Sequence, residues 1–249
     1  MRFVLVSQQE AMATVTLSRG KVNALNENVV EELQGCLADL ANDHNIKAIV
    51  LTGQGKFFSF GFDIPEFLNY SQEEFSRYLT NFTNLYTHIF LLPKPIVAAL
   101  NGHTIAGGCM LALACDYRVM VSGKAKISLN EIGFGSSVFA GSVEMLRFWV
   151  GNRRATEVLY SGALYNADQA KELGLVDMVA AESDLMPEAR AAAAELGNKA
   201  NPAFRSIKSL LRKSVAAEMR AREKESIREF VDIWYSESTW ENLKKIKIL

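Results

Sequence analysis

Residues 94–119 read KPIVAALNGHTIAGGCMLALACDYRV, and the fold follows from how this stretch divides. Ile96 to Leu100 is a short apolar run behind Pro93-Lys94-Pro95, which suits a buried strand. Asn101 to Gly108 is a glycine-containing loop. Cys109 to Ala114 is uniformly apolar and reads as a buried helix, and Asp116 to Val121 returns to a strand pattern. A strand, a glycine loop, a buried helix and a second strand make an α/β unit whose strands are covered on both faces.

The same logic extends toward the N-terminus. Phe3 to Val6 and Met12 to Leu17 alternate like paired strands, and the polar loop Ser18 to Lys21 follows. Asn26 can cap a helix in which Val29, Val30, Leu33, Leu37 and Leu40 recur at helical spacing. Lys47 to Thr52 is a strand closed by Gly53, and the Phe/Gly-rich loop KFFSFGFDI (56–64) comes next. A helix from about Gln72 to Leu92 stops before Pro93. Ala125 to Leu129 is a further strand.

Beyond Gly141 the strand signal fades. Helices are expected at Ser142–Val150, Arg153–Ser161 and Ala167–Glu172, with one strand at Leu175–Val179. From Ser183 the chain is rich in Ala, Glu, Lys and Arg and reads as successive helices, with Pro202 in a first turn. Phe230, Ile233, Trp234, Trp240 and Leu243 are more apolar residues than a surface helix needs. They suit packing on the chain's own core or on a neighbouring subunit.

Of 249 residues, 27 are Lys or Arg and 28 Asp or Glu, so no global positive charge is available to grip nucleic acid. Cys36, Cys109 and Cys115 form no disulfide framework, and with His44, His88 and His103 they offer no metal-ligand spacing. No uncharged apolar run reaches the roughly 18 residues of a membrane span, and no signal-peptide pattern opens the chain. A cytoplasmic location is expected.

Three segments can carry chemistry. Ser59 to Ile64 and Gly102 to Gly108 both follow buried strands, where ligands of α/β folds bind. Gly107-Gly108 opens a helix whose first N–H groups lack intrahelical partners, so developing negative charge would be stabilised there. Glu131, in ISLNEIGFG (127–135), sits among apolar and small residues, and desolvation there would raise its pKa toward that of a general base.

Together these segments resemble the crotonase (enoyl-CoA hydratase/isomerase) superfamily. The resemblance rests on the K-P-x-[VI]-A-x-x-N-G frame, the Gly-Gly pair and the A-x-x-C-D ending of residues 94–119. It rests also on FFSFGFDI (57–64), RGKVNALN (19–26) and ISLNEIGFG, in the family's order. It implies an α/β fold, a spiral of ββα units over residues 1–185 that binds acyl-CoA, with an all-helical C-terminal region over 186–249 that packs in the oligomer. Homotrimers or dimers of trimers are implied, and a coenzyme A thioester is the substrate, with no metal or other cofactor.

By position in the motifs, the backbone N–H groups of Phe62 and Gly107 would form an oxyanion hole and Glu131 would be the acid–base. Substrate would lie along Lys21, Val22, Ala24, Phe60, Gly61, Asp63 and Ile64, with Gly108, Met110 and Gly135 completing the site. Lys21 or Arg19 would approach CoA phosphate, while Asp63 would fix its loop and His103 would be structural.

Family hydratases use a second glutamate where this chain has Met110, a thioether with no useful proton. Residues 107–118, GGCMLALACDYR, and Leu129-Asn130-Glu131 are most similar to Δ3,Δ2-enoyl-CoA isomerases, in which one carboxylate can move both protons. The alternatives are an enoyl-CoA hydratase with Glu144 as surrogate base, another crotonase-family lyase, or a non-catalytic acyl-CoA-binding or RNA-binding relative.

Overall fold

The computed structural model describes residues 1–246. Its order is β1 (Val4–Gln9), β2 (Met12–Leu17), α1 (Glu27–Asn42), β3 (Ala48–Gly53), β4 (Phe57–Ser59), α2 (Ile64–Phe67) and α3 (Gln72–Leu91). Next come β5 (Ile96–Leu100), β6 (His103–Ile105), α4 (Gly107–Ala114), β7 (Tyr117–Val121) and β8 (Ile127–Ser128). A 3-10 helix at Glu131–Phe134 leads to α5 (Ala140–Ser161), α6 (Ala167–Leu173), β9 (Met178–Ala180), α7 (Leu185–Gly197), α8 (Asn201–Trp234) and α9 (Glu237–Leu243).

Two sheets are wound from one repeated turn. A six-stranded sheet runs β1-β2-β3-β5-β7-β9, antiparallel only between β1 and β2, and a three-stranded parallel sheet runs β4-β6-β8. Each of three successive turns lays one strand in the large sheet and the next in the small one, before helical chain carries it back. This is the ββα spiral that the sequence motifs implied. The central strands β3, β5 and β7 are almost wholly buried, which explains their continuous apolar runs in place of an alternating pattern.

Several local expectations shift. Phe57–Ser59 and His103–Ile105, read as loops, are the short strands of the small sheet. Helix α4 begins at Gly107, two residues earlier than its apolar run. The helices expected at 142–150 and 153–161 lie in one element kinked at Gly151, whose φ of 74° is not helical. The strand expected at Leu175–Val179 occupies Met178–Ala180.

Much of the 94–119 signature is scaffold. Lys94, 5% exposed, donates from Nζ to the carbonyls of Leu40 (2.6 Å) and Asp43 (2.5 Å), closing the C-terminal end of α1. Asn101 accepts from Gly53 N–H at 2.9 Å and donates to Gly55 O at 2.9 Å, fixing the β3–β4 turn. Asp116 accepts from Ile96 N–H at 2.8 Å and from Lys208 Nζ at 2.7 Å, and pairs with Arg212 Nη2 at 3.1 Å. Helix α8, which runs along α3 and α5, is thereby tied to the core sheet by charge.

All three partners of this ion cluster are nearly buried, with side chains 9%, 6% and 4% exposed. Removing one charge strands the others in a low-dielectric interior. Asp116→Ala is therefore expected to cost about 3–5 kcal/mol in urea unfolding. A loss below about 1 kcal/mol, the scale of an exposed pair, would contradict this account.

Candidate active site

The site forms where two loops abut. Residues Val22–Leu25 run beside Phe60–Asp63: Phe60 N–H donates to Val22 O (2.9 Å), Leu25 N–H to Gly61 O (2.7 Å) and Asp63 N–H to Leu25 O (3.0 Å). This pairing is a parallel bridge centred on Leu25 and Phe62. Alternation along an extended strand then turns the N–H of Phe62 away from Leu25. Ser59 steadies the turn, donating to Asn23 O at 2.8 Å and accepting from Gly61 N–H at 3.1 Å.

The second loop presses against the first. Gly61 has φ 95°, and a Cβ there would meet Ile105 O at 2.9 Å and Gly107 N at 3.0 Å. A Cβ on Gly108 would meet Ser59 O at 2.5 Å, so only glycine permits this approach. Ala106, before the helix, holds the strained pair φ 49°, ψ −118°, which costs about 1–3 kcal/mol. It is pinned by Ala106 N–H to Ser128 O (2.8 Å) and Met110 N–H to Ala106 O (3.0 Å). No side chain caps α4, so the Gly107 N–H opens the helix at the positive end of its dipole.

These loops line a cavity of about 380 Å³. Of the residues singled out in the sequence, Phe60, Phe62, Ile64, Gly107, Met110 and Glu131 line it. The ring of Phe62 is rooted edge-on among Phe67, Tyr78 and Phe82 and lies against Gly107, whose added Cβ would be 3.1 Å from it. Met110 is buried, at 1% exposure.

The other residues singled out stand outside this lining. Lys21 is exposed, Val22 half-buried and Ala24 buried. Gly61 and Gly108 supply the close backbone approaches described above. Gly135 ends the 3-10 helix in the left-handed region, φ 84°. Asp63 caps α2 through Glu66 N–H (3.2 Å) and pairs with Arg19 at 2.6 Å. Arg19 also pairs with Glu66 at 2.9 Å, so its guanidinium is committed inside the protein and is no free phosphate ligand. His103 stacks against Phe57, with ring centroids 5.0 Å apart.

Sequence reasoning did not foresee the far wall. Phe139 precedes α5, while Phe230 and Trp234 descend from α8, one turn apart. Phe139 and Phe230 lie 4.4 Å apart between centroids. The spacing of Phe230 and Trp234 marked a buried helix face, but nothing in it pointed to this cavity.

Among the described residues, Glu131 is the one ionisable side chain in the lining. It is 4% exposed, and neither carboxylate oxygen has a hydrogen-bond partner among the described residues. Burial pushes its pKa up to about 8, weakly opposed by its own backbone N–H, which does not reach hydrogen-bonding geometry. Among the described residues no cluster of three His, Cys, Asp or Glu side chains gathers, and no helix is long and apolar enough to cross a membrane.

The fold is a spiral of α/β turns whose strand-end loops enclose a buried carboxylate and a helix N-terminus that no side chain caps. A family profile described as enoyl-CoA hydratase/isomerase matches residues 7–244, and the chain belongs to that family, within the crotonase superfamily. It is 31% identical over 208 residues to a crotonyl-CoA hydratase of Syntrophomonas wolfei, covering 83% of this chain and 80% of the relative. It is 32% identical over 198 residues to a short-chain-enoyl-CoA hydratase of Clostridium acetobutylicum, covering 79% and 74%. The crystal structure of human mitochondrial Δ3,Δ2-enoyl-CoA isomerase superposes with a TM-score of 0.92 at 27% identity, covering 97% of this chain and 95% of that one.

The buried carboxyl links pH to stability. Its folded pKa of about 8 lies above the ordinary 4.5, so the fold favours the neutral form. The contribution is fully present below pH 4.5 and is lost as pH rises toward 8. Glu131→Gln, which stays neutral, is expected to raise the melting temperature relative to wild type more at pH 8 than at pH 5. An equal change at both would show that the carboxyl is not held neutral by burial.

Proposed function

We propose that this protein is a Δ3,Δ2-enoyl-CoA isomerase in which Glu131 moves both protons. The observation that carries this reading is a cavity in which, among the described residues, Glu131 is the single ionisable group and an apolar Met110 stands in the wall. The Glu131 carboxylate removes a proton from C2 of a 3-enoyl thioester. The electron pair delocalises over C2–C4 and the thioester oxygen as a dienolate, and the N–H groups of Phe62 and Gly107 stabilise the oxygen's charge. The Glu131 carboxyl then returns its proton to C4, and the double bond settles between C2 and C3. The coenzyme A thioester is the substrate, and no added cofactor takes part. Lys21, exposed and next to Val22, whose carbonyl accepts from Phe60 N–H, is the basic residue this reading assigns to CoA phosphate.

The names of the curated relatives favour a second reading, enoyl-CoA hydration, which needs another carboxylate to activate water. Glu144 does not serve: it is absent from the cavity lining and is engaged by Arg147 and Arg222, each at 2.9 Å. The apolar lining also keeps water from the dienolate.

Side-by-side assays on 3-enoyl-CoA and 2-enoyl-CoA test this reading. Expected are rapid formation of the 2-enoyl product, little hydration, and at least a hundredfold loss in Glu131→Gln, on the scale of a lost general base. Hydration as fast as isomerisation would overturn it. Because the carboxylate is the reactive form, kcat/KM should rise tenfold per pH unit and level off near pH 8. A profile flat from pH 6 to 9 would remove Glu131 as the base.

We also propose that copies of the chain associate through α8, where Ile207, Leu210 and Leu211 are 58%, 80% and 58% exposed. Sedimentation is expected to show an oligomer that Leu210→Glu weakens; a wild-type monomer would refute this.

A further inference from the structure

The catalytic carboxylate has no hydrogen bond of its own, so no polar contact on the side chain orients it. Its direction is set by the backbone of the segment that carries it, the 3-10 helix Glu131–Phe134 and the chain as far as the start of α5. Within the segment, Gly135 N–H donates to Ile132 O (3.1 Å) and Ser136 N–H to Glu131 O (3.0 Å). These bonds shape the turn but do not attach it to the rest of the molecule.

Upstream of Glu131 the chain is held by β8, where Ser128 Oγ donates to Ala163 O at 2.7 Å; downstream of the 3-10 helix the attachment comes from the C-terminal helices. Thr239 of α9 donates from Oγ1 to Gly135 O at 2.7 Å, and Asn242 donates to Phe134 O at 3.4 Å. At the other end, α5 starts at Ala140 with no cap of its own. Helix α8 supplies one: Ser226 Oγ accepts from Ala140 N–H at 3.0 Å, and Glu223 Oε2 accepts from Gly141 N–H at 3.0 Å. Tyr86 of α3 donates to the other Glu223 oxygen at 2.8 Å and so fixes the carboxylate from a third element. A Cβ on Gly141 would lie 2.5 Å from both Glu223 Oε2 and Tyr86 Oη, so the contact is built around a missing side chain.

Resting on the acid–base role of Glu131 given above, we infer that Thr239 and Glu223 are positioning residues for the reaction, holding at Gly135 and Gly141 the segment that aims Glu131. Neither lines the cavity, so neither touches substrate. Loosening either hold leaves the acyl pocket intact and lets the base wander. The loss therefore falls on the proton transfers, and binding is spared.

The test uses Thr239→Val and Glu223→Leu, which remove the polar contact, and Thr239→Ser and Glu223→Gln, which keep a donor or an acceptor. Each is assayed on whichever of the 3-enoyl or 2-enoyl thioesters the wild type turns over, so a wrong reaction assignment would not hide the result. Expected is about a tenfold fall in kcat for Thr239→Val and for Glu223→Leu with KM changed less than about threefold, since small misplacements of a reacting group cost rate steeply. The conservative pair should recover most of the loss. Hydrogen exchange should quicken in residues 131–141 of Thr239→Val and Glu223→Leu and stay unchanged across the large sheet. Wild-type kcat in both disruptive variants, a loss confined to KM, or exchange that quickens evenly over the chain would each overturn the inference.

Discussion

The backbone of one spiral turn rests directly on the backbone of the next, and the site depends on that contact. Ser59 and Gly108 meet with no room for a Cβ between them, and Gly61 lies as close to the amide of Gly107. Close stacking brings the N–H of Phe62, at the end of one turn, beside the uncapped start of α4 in the following one. The third turn then places Glu131 across the same cavity. Each group proposed to act in catalysis thus comes from a different turn of one winding, and the spacing between turns sets the spacing of these groups. The strain at Ala106 is the local cost of reversing the chain sharply enough to expose Gly107.

The cavity works by what it leaves out. A carboxylate with no hydrogen bonds and almost no solvent contact is a stronger base than one in water, and the same dry surroundings strengthen two fixed N–H dipoles. Met110 contributes to both effects by filling a wall with a group that cannot ionise. What favours the chemistry opposes the fold, since burying an unpaired carboxyl is unfavourable once it is charged. The aromatic packing of the cavity wall, Phe62 on Phe82 and Phe139 on Phe230, offsets part of that cost.

How far the sequence could be read follows from the range of each signal. Strand β2 and helices α1 and α3 announce themselves by periodicity, and strands β3, β5 and β7 by continuous apolar runs, because they are buried on both faces. Strands β4 and β6 did not, being three residues long and bordered by glycine-rich chain. Glu131 was singled out through the ordered motifs that carry the family resemblance, since apolar neighbours alone fit a surface turn as well. Phe139, Trp234, Thr239 and Glu223 were not, since their partners lie far along the chain and carry no local pattern: Tyr86 and Glu223 are 137 residues apart. Lys94, Asn101 and Asp116 looked like parts of a functional motif, yet in the structure they hold strands and helix ends together.

The ion cluster that docks α8 has a consequence for synthesis. Asp116 precedes Lys208 by 92 residues, so at about 5–20 residues per second its counter-charge is translated roughly 5–20 s later. Through that interval the core sheet holds an acidic side chain whose buried partners do not yet exist, and the cavity lacks Phe230 and Trp234. The far wall of the cavity is therefore completed only when α8 is made, and a chain that stops before Lys208 keeps Asp116 without either of its cationic partners.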